Sequence, residues 1–207
     1  PLWGALPLYY TDGSATDYDS STSTAADWSY WDNSAEQVYV TLEQNLSATW
    51  VAIARYAHIE NEQDSELFYV YGTPDKETGL GLTGYASRYD YEDKHDLFDL
   101  YASGKFDLFG QEHDLSFGVS QAKMDYNEQS LYDYTTGNGF PEMPSLDTWD
   151  GVIPEATLTD GLNGSDIENK QQSAYISTRI KLSTPLNILA GVRYTDWETK
   201  GTAYGVE

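Results

Sequence analysis

From His95 to Val119 the chain alternates residue by residue. Phe98, Leu100, Ala102, Gly104, Phe106 and Leu108 fall on one side, and Leu97, Asp99, Tyr101, Ser103, Lys105 and Asp107 on the other. Beyond Phe109-Gly110-Gln111-Glu112 the alternation resumes, with Leu115, Phe117 and Val119 opposed to Asp114, Ser116, Gly118 and Ser120. A period of two is the strand period, because successive side chains of a strand point to opposite faces. Wound as a helix, the same residues would scatter acids and aromatics around every side. The pattern predicts a long β-hairpin.

The same rhythm predicts further strands at Gln37–Leu46, Trp50–Glu62, Glu66–Gly72 and Leu80–Tyr91, and a second clear hairpin of 174–182 and 186–195 around Ser183-Thr184-Pro185. That makes about eight antiparallel strands, joined near residues 47, 63, 75, 93, 110, 145 and 184. Two stretches lack the rhythm. Residues 1–35 are rich in Ser, Thr, Asp and Gly, whose side chains and backbone freedom favour turns. Residues 127–168 form a long irregular segment, of a length that in compact domains usually carries function. Both are expected to be extracellular loops.

The apolar share is 40% of 207 residues, much of it Tyr, Trp and Ala. No run approaches the roughly 20 apolar residues of a membrane-crossing helix. Membrane barrels instead use alternating segments of about 10 residues, with short turns on one side and long loops on the other. Asn45–Thr49, Gly72–Thr78, Phe109–Glu112 and Ser183–Pro185 fall on one side by parity, and the long segment and residues 1–35 on the other. Arg55, Lys105, Arg179, Lys181 and Arg193 each lie opposite the apolar stripe of their own strand. A cation on the lipid side at mid-membrane costs about 2–4 kcal/mol, so these belong in a wet interior. Trp50, Tyr89, Phe106, Phe109, Tyr194 and Trp197 suit an interfacial aromatic girdle. The predicted fold is all-β: an antiparallel up-and-down transmembrane β-barrel, here an incomplete segment.

A formal charge of -23 excludes nucleic acid as a partner, since phosphates require Lys and Arg. There is no Cys, hence no disulfide framework and no thiolate metal site. His58, His95 and His113 are too far apart for paired ligation, and neither Asp12, Asp17 and Asp19 nor Asp147, Asp150 and Asp160 has the spacing of an EF-hand loop. No nucleophile elbow, zinc-protease motif or phosphate-binding glycine loop occurs. The expectation is a protein that is not an enzyme, with no catalytic residues and no metal held by its own side chains.

The stretches PLYYTDGSATDYDSSTSTAADWSYWD, ELFYVYGTPDKETGLGL, YASRYDYEDKHDLFDLYASGKFDLFGQEHDLSFGVS and LAGVRYTDW resemble the barrel of TonB-dependent ferric-siderophore receptors, in the ferripyoverdine and ferric-coprogen/hydroxamate branch. The resemblance covers almost the whole chain. It implies an outer-membrane barrel of about 22 strands with a plugged lumen, of which residues 1–207 supply one part without plug domain or C-terminal strands. It further implies capture of a ferric siderophore, import driven through TonB by way of the plug, and iron that arrives already chelated, so no cofactor. Aromatic side chains at upper strand ends form the siderophore pocket in such receptors. By position Trp28, Tyr30 and Trp31 match that role, and Tyr132, Tyr134 and Trp149 stand in the longest loop. Each has a plainer alternative, as interfacial belt or loop packing. The competing functions are a passive outer-membrane channel or adhesin, and a secreted β-sandwich that binds glycans. About eight strands leave two open edges, so the isolated segment is expected to self-associate.

Overall fold

The computed structural model describes residues 6–183 and 185–206, apart from the side chains of Gly161 and Leu162. Among them are six strands: β1 (Tyr30–Asn45), β2 (Trp50–Gly72), β3 (Leu82–Leu108), β4 (Gln111–Tyr132), β5 (Asp160–Ser183) and β6 (Leu186–Ala203). They form one sheet in the order β1-β2-β3-β4-β5-β6, each strand antiparallel to the next in the chain. None of the described residues forms a helix long and apolar enough to cross a membrane.

The all-β, antiparallel, up-and-down class is as expected; the count is six rather than about eight. The expected connections near residues 63 and 93 do not exist, because β2 runs for 23 residues and β3 for 27 without a break. Gln63-Asp64 and Tyr91 to Lys94 are polar on both faces, which erases the amphipathic signal while leaving the backbone ladder intact. Register confirms the continuity: a side chain at Gly104 would meet the Trp50 ring at one end of the β2–β3 pair, and Gly72 lies against Leu82 at the other.

Losing two connections also moves the turn at 73–81. It now shares a side with the segment before β1 and with residues 133–159, and leaves the short-turn side to 46–49 and Phe109-Gly110. The loops are narrower than the sequence predicts, since β1 begins at Tyr30, β4 reaches Tyr132 and β5 begins at Asp160. The predicted turn at Ser183-Thr184-Pro185 includes Thr184, which lies outside the described residues, as do residues 1–5 of the leading segment. At the central hairpin, Phe109 (φ 53°) and Gly110 (φ 73°) both take left-handed backbone, as a two-residue type I′ turn requires.

The chain divides into two compact units. One comprises Ala35–Asn61, Asp93–Tyr126 and the chain from Asp166 onward. One face of its sheet is an exposed apolar band that includes Val40, Leu42, Phe98, Leu100, Phe117, Val119, Ile176 and Val192. The other face is mainly polar and internally bonded, with Leu97, Leu189 and Trp197 as apolar exceptions. The Arg55 guanidinium lies 5.5 Å over the Tyr101 ring and that of Arg193 lies 5.6 Å over Tyr175. Tyr175 Oη donates to Asp99 (3.3 Å), Ser103 and Ser116 hydroxyls pair at 2.7 Å, and Arg193 donates to both Ser120 and Ser173. Arg179 Nε donates to Asp114 at 2.6 Å, and Lys105 Nζ to Glu112 at 2.6 Å. The cations thus lie opposite the apolar stripe, as the alternation requires.

The other unit comprises Glu62–Glu92, Asn127–Ser165 and the segment up to Ser34. Its core is built from Ala26, Phe68, Val70, Leu82, Ala86, Met143, Leu146, Ala156 and Leu158. The strand ends supply Phe68, Val70, Leu82 and Ala86, and the two long segments fold over them.

Candidate functional site

The aromatic residues of this second unit gather on the two faces of its sheet. On the first face Phe68 is the centre. The Trp149 ring stacks on it at 5.9 Å and 21°, and the Trp28 ring meets it edge-on at 5.7 Å. Gly84 leaves room for this, since a Cβ there would come 2.4 Å from the Phe68 ring. The indole nitrogens of Trp28 and Trp149 are buried without hydrogen-bond partners, a cost that the ring packing has to offset.

On the opposite face tyrosines from three strands meet. Tyr69 and Tyr85 lie 4.8 Å apart, Tyr85 and Tyr132 5.9 Å, and Tyr89 and Tyr132 6.5 Å. Tyr71 and Phe140 also meet Tyr85, and Tyr134 stacks on Phe140 at 5.5 Å and 14°. Alternation explains the grouping: Tyr69 and Tyr71, Tyr85 and Tyr89, and Tyr132 and Tyr134 are spaced by even numbers, so each pair shares a strand face or its continuation. Ser65, Ser87 and Ser130 lie fully buried in the same strands, small enough to let the rings close over them.

The long segment is held on this platform by Asp133. Its carboxylate accepts the amide of Thr135 (3.0 Å), the amide of Thr136 (2.9 Å), the amide of Thr157 (2.9 Å) and the Thr136 hydroxyl. Burial by itself would raise this carboxyl, but the donors outweigh it and hold Asp133 well below the ordinary carboxylate range. One anion therefore ties both ends of 133–159 together. Residues 139–143 then run beside the start of β3: the Gly84 amide donates to Pro141 (2.8 Å), the Ala86 amide to Gly139 (2.9 Å) and the Met143 amide to Leu82 (3.0 Å). The shorter turn is tied in as well. Asp75 accepts the amides of Glu77 and Thr78, which lower its carboxyl, and Lys76 reaches the Ser14 hydroxyl at 2.9 Å.

The sequence-predicted site residues separate. Trp28 and Trp149 come together, but on the Phe68 face. Tyr30 opens β1 and donates its hydroxyl to Asp64 at 2.9 Å, beside Arg88, which itself pairs with Asp64, Asp90 and Glu66. Trp31 points the other way along β1 and is 40% exposed. Tyr132 is central to the tyrosine cluster. Tyr89 belongs to that cluster too, rather than to a strand-end girdle. Sequence reasoning missed Tyr69, Tyr85 and Phe140, although the even spacing of tyrosines on β2 and β3 was the signal that pointed to them. The loop acids act as turn-formers: Asp12 accepts the amide and hydroxyl of Ser14, Asp19 those of Ser21, and Asp150 the amide of Val152.

A cluster of phenols on a sheet, its rings mostly tilted or edge-on to one another, can pack against apolar or aromatic parts of a ligand and bond its polar rim through the hydroxyls. It has no arrangement of nucleophile and base.

The family model described as TonB dependent receptor-like, beta-barrel, matches residues 3–207. The chain is 31% identical over its full length to the ferric-pyoverdine BN7/BN8 receptor of Pseudomonas putida, and 27% identical over 96% of its length to the ferripyoverdine receptor of Pseudomonas aeruginosa. It spans about a quarter of each, 26% and 24% of their lengths. Among solved structures, the P. aeruginosa receptor FpvA bound to a heterologous pyoverdine superposes with a TM-score of 0.87 at 25% identity, over 96% of this chain and 26% of that one. The ferric-catecholate import receptor Fiu of E. coli shares the fold, with a TM-score of 0.73 at 14% identity over 86% of this chain and 26% of that one.

Proposed function

The chain belongs to the TonB-dependent receptor-like β-barrel family, a receptor family of the bacterial outer membrane, and from that premise we propose that it is part of the wall and outer rim of a ferric-siderophore importer. The apolar band of the first unit faces lipid and the polar face of Arg55, Asp99, Tyr175 and Arg193 faces the lumen. The tyrosine cluster on the odd-numbered side of β2 and β3 is the observation that supports the reading. There Tyr85, set at 43° to Tyr69 and 70° to Tyr132, and its neighbours offer a mixture of ring faces and edges to a ferric chelate of the pyoverdine type, which is the ligand class named for the relatives.

Iron arrives inside its chelator, so the wall supplies shape and stacking, holds no cofactor of its own and carries out no covalent step. In this proposal the energy for import comes from TonB, acting through the receptor's plug domain. Trp31, exposed on the same side as Tyr132, is the sequence-predicted residue best placed to join the pocket; Trp28 and Trp149 support it from behind.

The test is quenching of intrinsic fluorescence of the full-length receptor by ferric pyoverdines and a panel of other ferric siderophores. Saturable quenching is expected, weakened about tenfold by Tyr85→Ala or Tyr132→Ala, the loss of one well-stacked ring. A receptor that no ferric siderophore quenches, yet that lets small sugars swell liposomes, is a passive channel and overturns the proposal.

A further inference from the structure

Arg55 and Arg193 differ from most cations of this acid-rich chain. Lys105 pairs with Glu112 and Arg179 with Asp114, whereas neither Arg55 nor Arg193 forms an ion pair among the described residues. Each guanidinium lies instead over a phenol ring, Arg55 over Tyr101 and Arg193 over Tyr175. Hydroxyls hold Arg193 further: its Nε donates to Thr195 at 3.3 Å, and its Nη2 to Ser120 at 3.1 Å and to Ser173 at 2.5 Å. Alternation along β2 and β6 puts both arginines on the polar face, opposite the apolar band.

The two guanidiniums line one pocket of about 350 Å³, with Tyr39, Thr41, Asp99 and Ser120 among its other walls. Asp99 is the single carboxylate among the lining residues and accepts the Tyr175 hydroxyl at 3.3 Å. The pocket therefore carries two cations against one anion. The electron-rich ring faces offset part of that excess and fix the planes of both guanidiniums. Donors are left over, since a guanidinium has five N–H groups. Arg193 keeps the two on Nη1, and Arg55 donates to none of the described residues.

We propose that Arg55 and Arg193 form a carboxylate-receiving station on the lumenal wall, which takes a free carboxylate of the ferric chelate on its way through the barrel. The inference rests on the siderophore reading above, and the station uses none of the residues of the tyrosine cluster. A guanidinium is a planar fork that matches the two oxygens of a carboxylate, and one already stacked on a ring loses little freedom on binding. The pocket's size favours a small ligand over a single acidic side chain from elsewhere in the receptor, because about 350 Å³ lies in the range of small-molecule sites. The chain's charge of -23 would repel an anionic chelate, and two unpaired cations facing one pocket give it a local foothold.

The experiment uses the full-length receptor in cells that lack other siderophore receptors. Uptake of radiolabelled iron is followed with a pyoverdine whose free carboxylate is intact, and with the same pyoverdine blocked there as its amide. Fluorescence quenching of the purified receptor reports binding and verifies that each variant is folded. Arg55→Gln and Arg193→Gln should import the intact chelate several-fold more slowly than wild type, with quenching affinity unchanged. Wild type and variants should import the amide equally slowly, and Arg193→Lys, which keeps the charge and loses the fork, should fall between. Undiminished import by the double glutamine variant overturns the station. So does an equal fractional loss for intact and amide chelates, which would assign the arginines to an acidic group of the receptor itself. Quenching affinity lost in Arg193→Gln and Arg193→Lys alike would place the arginines in the first binding site and overturn a separate station. A wild-type receptor that neither binds nor imports either chelate overturns the siderophore reading.

Discussion

The backbone amide of Lys181 donates to Nδ1 of His113 at 3.0 Å, and Nε2 of the same ring lies 3.0 Å from the carbonyl of Leu108. The ring is 3% exposed and packs 5.2 Å from Phe106. It therefore presents a lone pair at Nδ1 and a proton at Nε2, and sews the β3–β4 turn to β5. His113→Ala leaves two backbone groups unpaired and should cost about 1–3 kcal/mol. His113→Phe keeps the packing and loses both nitrogens. It should lower the thermal midpoint of the detergent-solubilised receptor nearly as far as alanine does. A phenylalanine variant as stable as wild type would refute the hydrogen-bonding role.

Asp133 predicts a pH dependence of known sign. Its carboxyl is depressed in the folded state, so its contribution is fully present above the unfolded value near 3.9 and declines as pH falls from there toward the native value. The gap in thermal midpoint between wild type and Asp133→Asn should be constant from pH 8 to 5 and narrow below about pH 4. A gap that persists unchanged at the acid end, or one that is absent at neutral pH, contradicts the anchoring role.

Phe68 joins both long segments to the sheet. Phe68→Ala removes the partner of two indoles and should cost the second unit about 3–5 kcal/mol. Because the damage is local, the readout is protease cleavage within 133–159. Cleavage should be fast in Phe68→Ala, intermediate in Phe68→Leu and slow in wild type, while the band-bearing unit stays protected.

Gly118 is where Tyr101 and Tyr175 close over a strand. A Cβ there would lie 2.6 Å from the Tyr101 Cβ and 2.7 Å from Tyr175 Oη. Gly118→Ala must push Tyr175 away from Asp99 and Arg193, at about 1–3 kcal/mol. Ser116→Ala, one step along the same face, removes only one hydroxyl contact and should be tolerated. Thermal midpoints of the two variants compare them directly, and equal midpoints would show that the lumenal wall is looser than drawn.

β1 and β6 are the outer strands of the sheet, and each has one side without a strand partner among the described residues. The 207-residue segment alone should therefore associate through these edges. Light scattering that finds a strict monomer in mild detergent would count against it.

The strand faces were legible because lipid and lumen impose opposite chemistry on adjacent residues: Phe98 and Leu100 against Asp99 and Tyr101 admit only one period. The connections near 63 and 93 were misread for the converse reason. At Gln63-Asp64 and Tyr91 to Lys94 both faces are polar, so amphipathicity vanishes while pairing continues, and hydrophobic pattern alone cannot separate such a stretch from a turn. The misplacement of 73–81 followed from that miscount. The candidate aromatics rest on composition and position, which put Tyr132 and Trp149 in one long stretch but could not show that Trp149 and Trp28 converge on Phe68 while Tyr132 lies on the other face. That convergence depends on how 133–159 folds back, set by Asp133 and its threonine donors, and no periodic signal records it.

The order of strands in the sheet repeats their order in the chain, and the β3–β4 turn is only two residues. Every strand then finds its mate by local zippering from an adjacent bend, which keeps the entropic barrier to assembly small. The exception is β4 with β5, whose ends are separated by residues 133–159. Nucleation should begin at Phe109-Gly110, with the slow kinetic phase arising where that long excursion has to close.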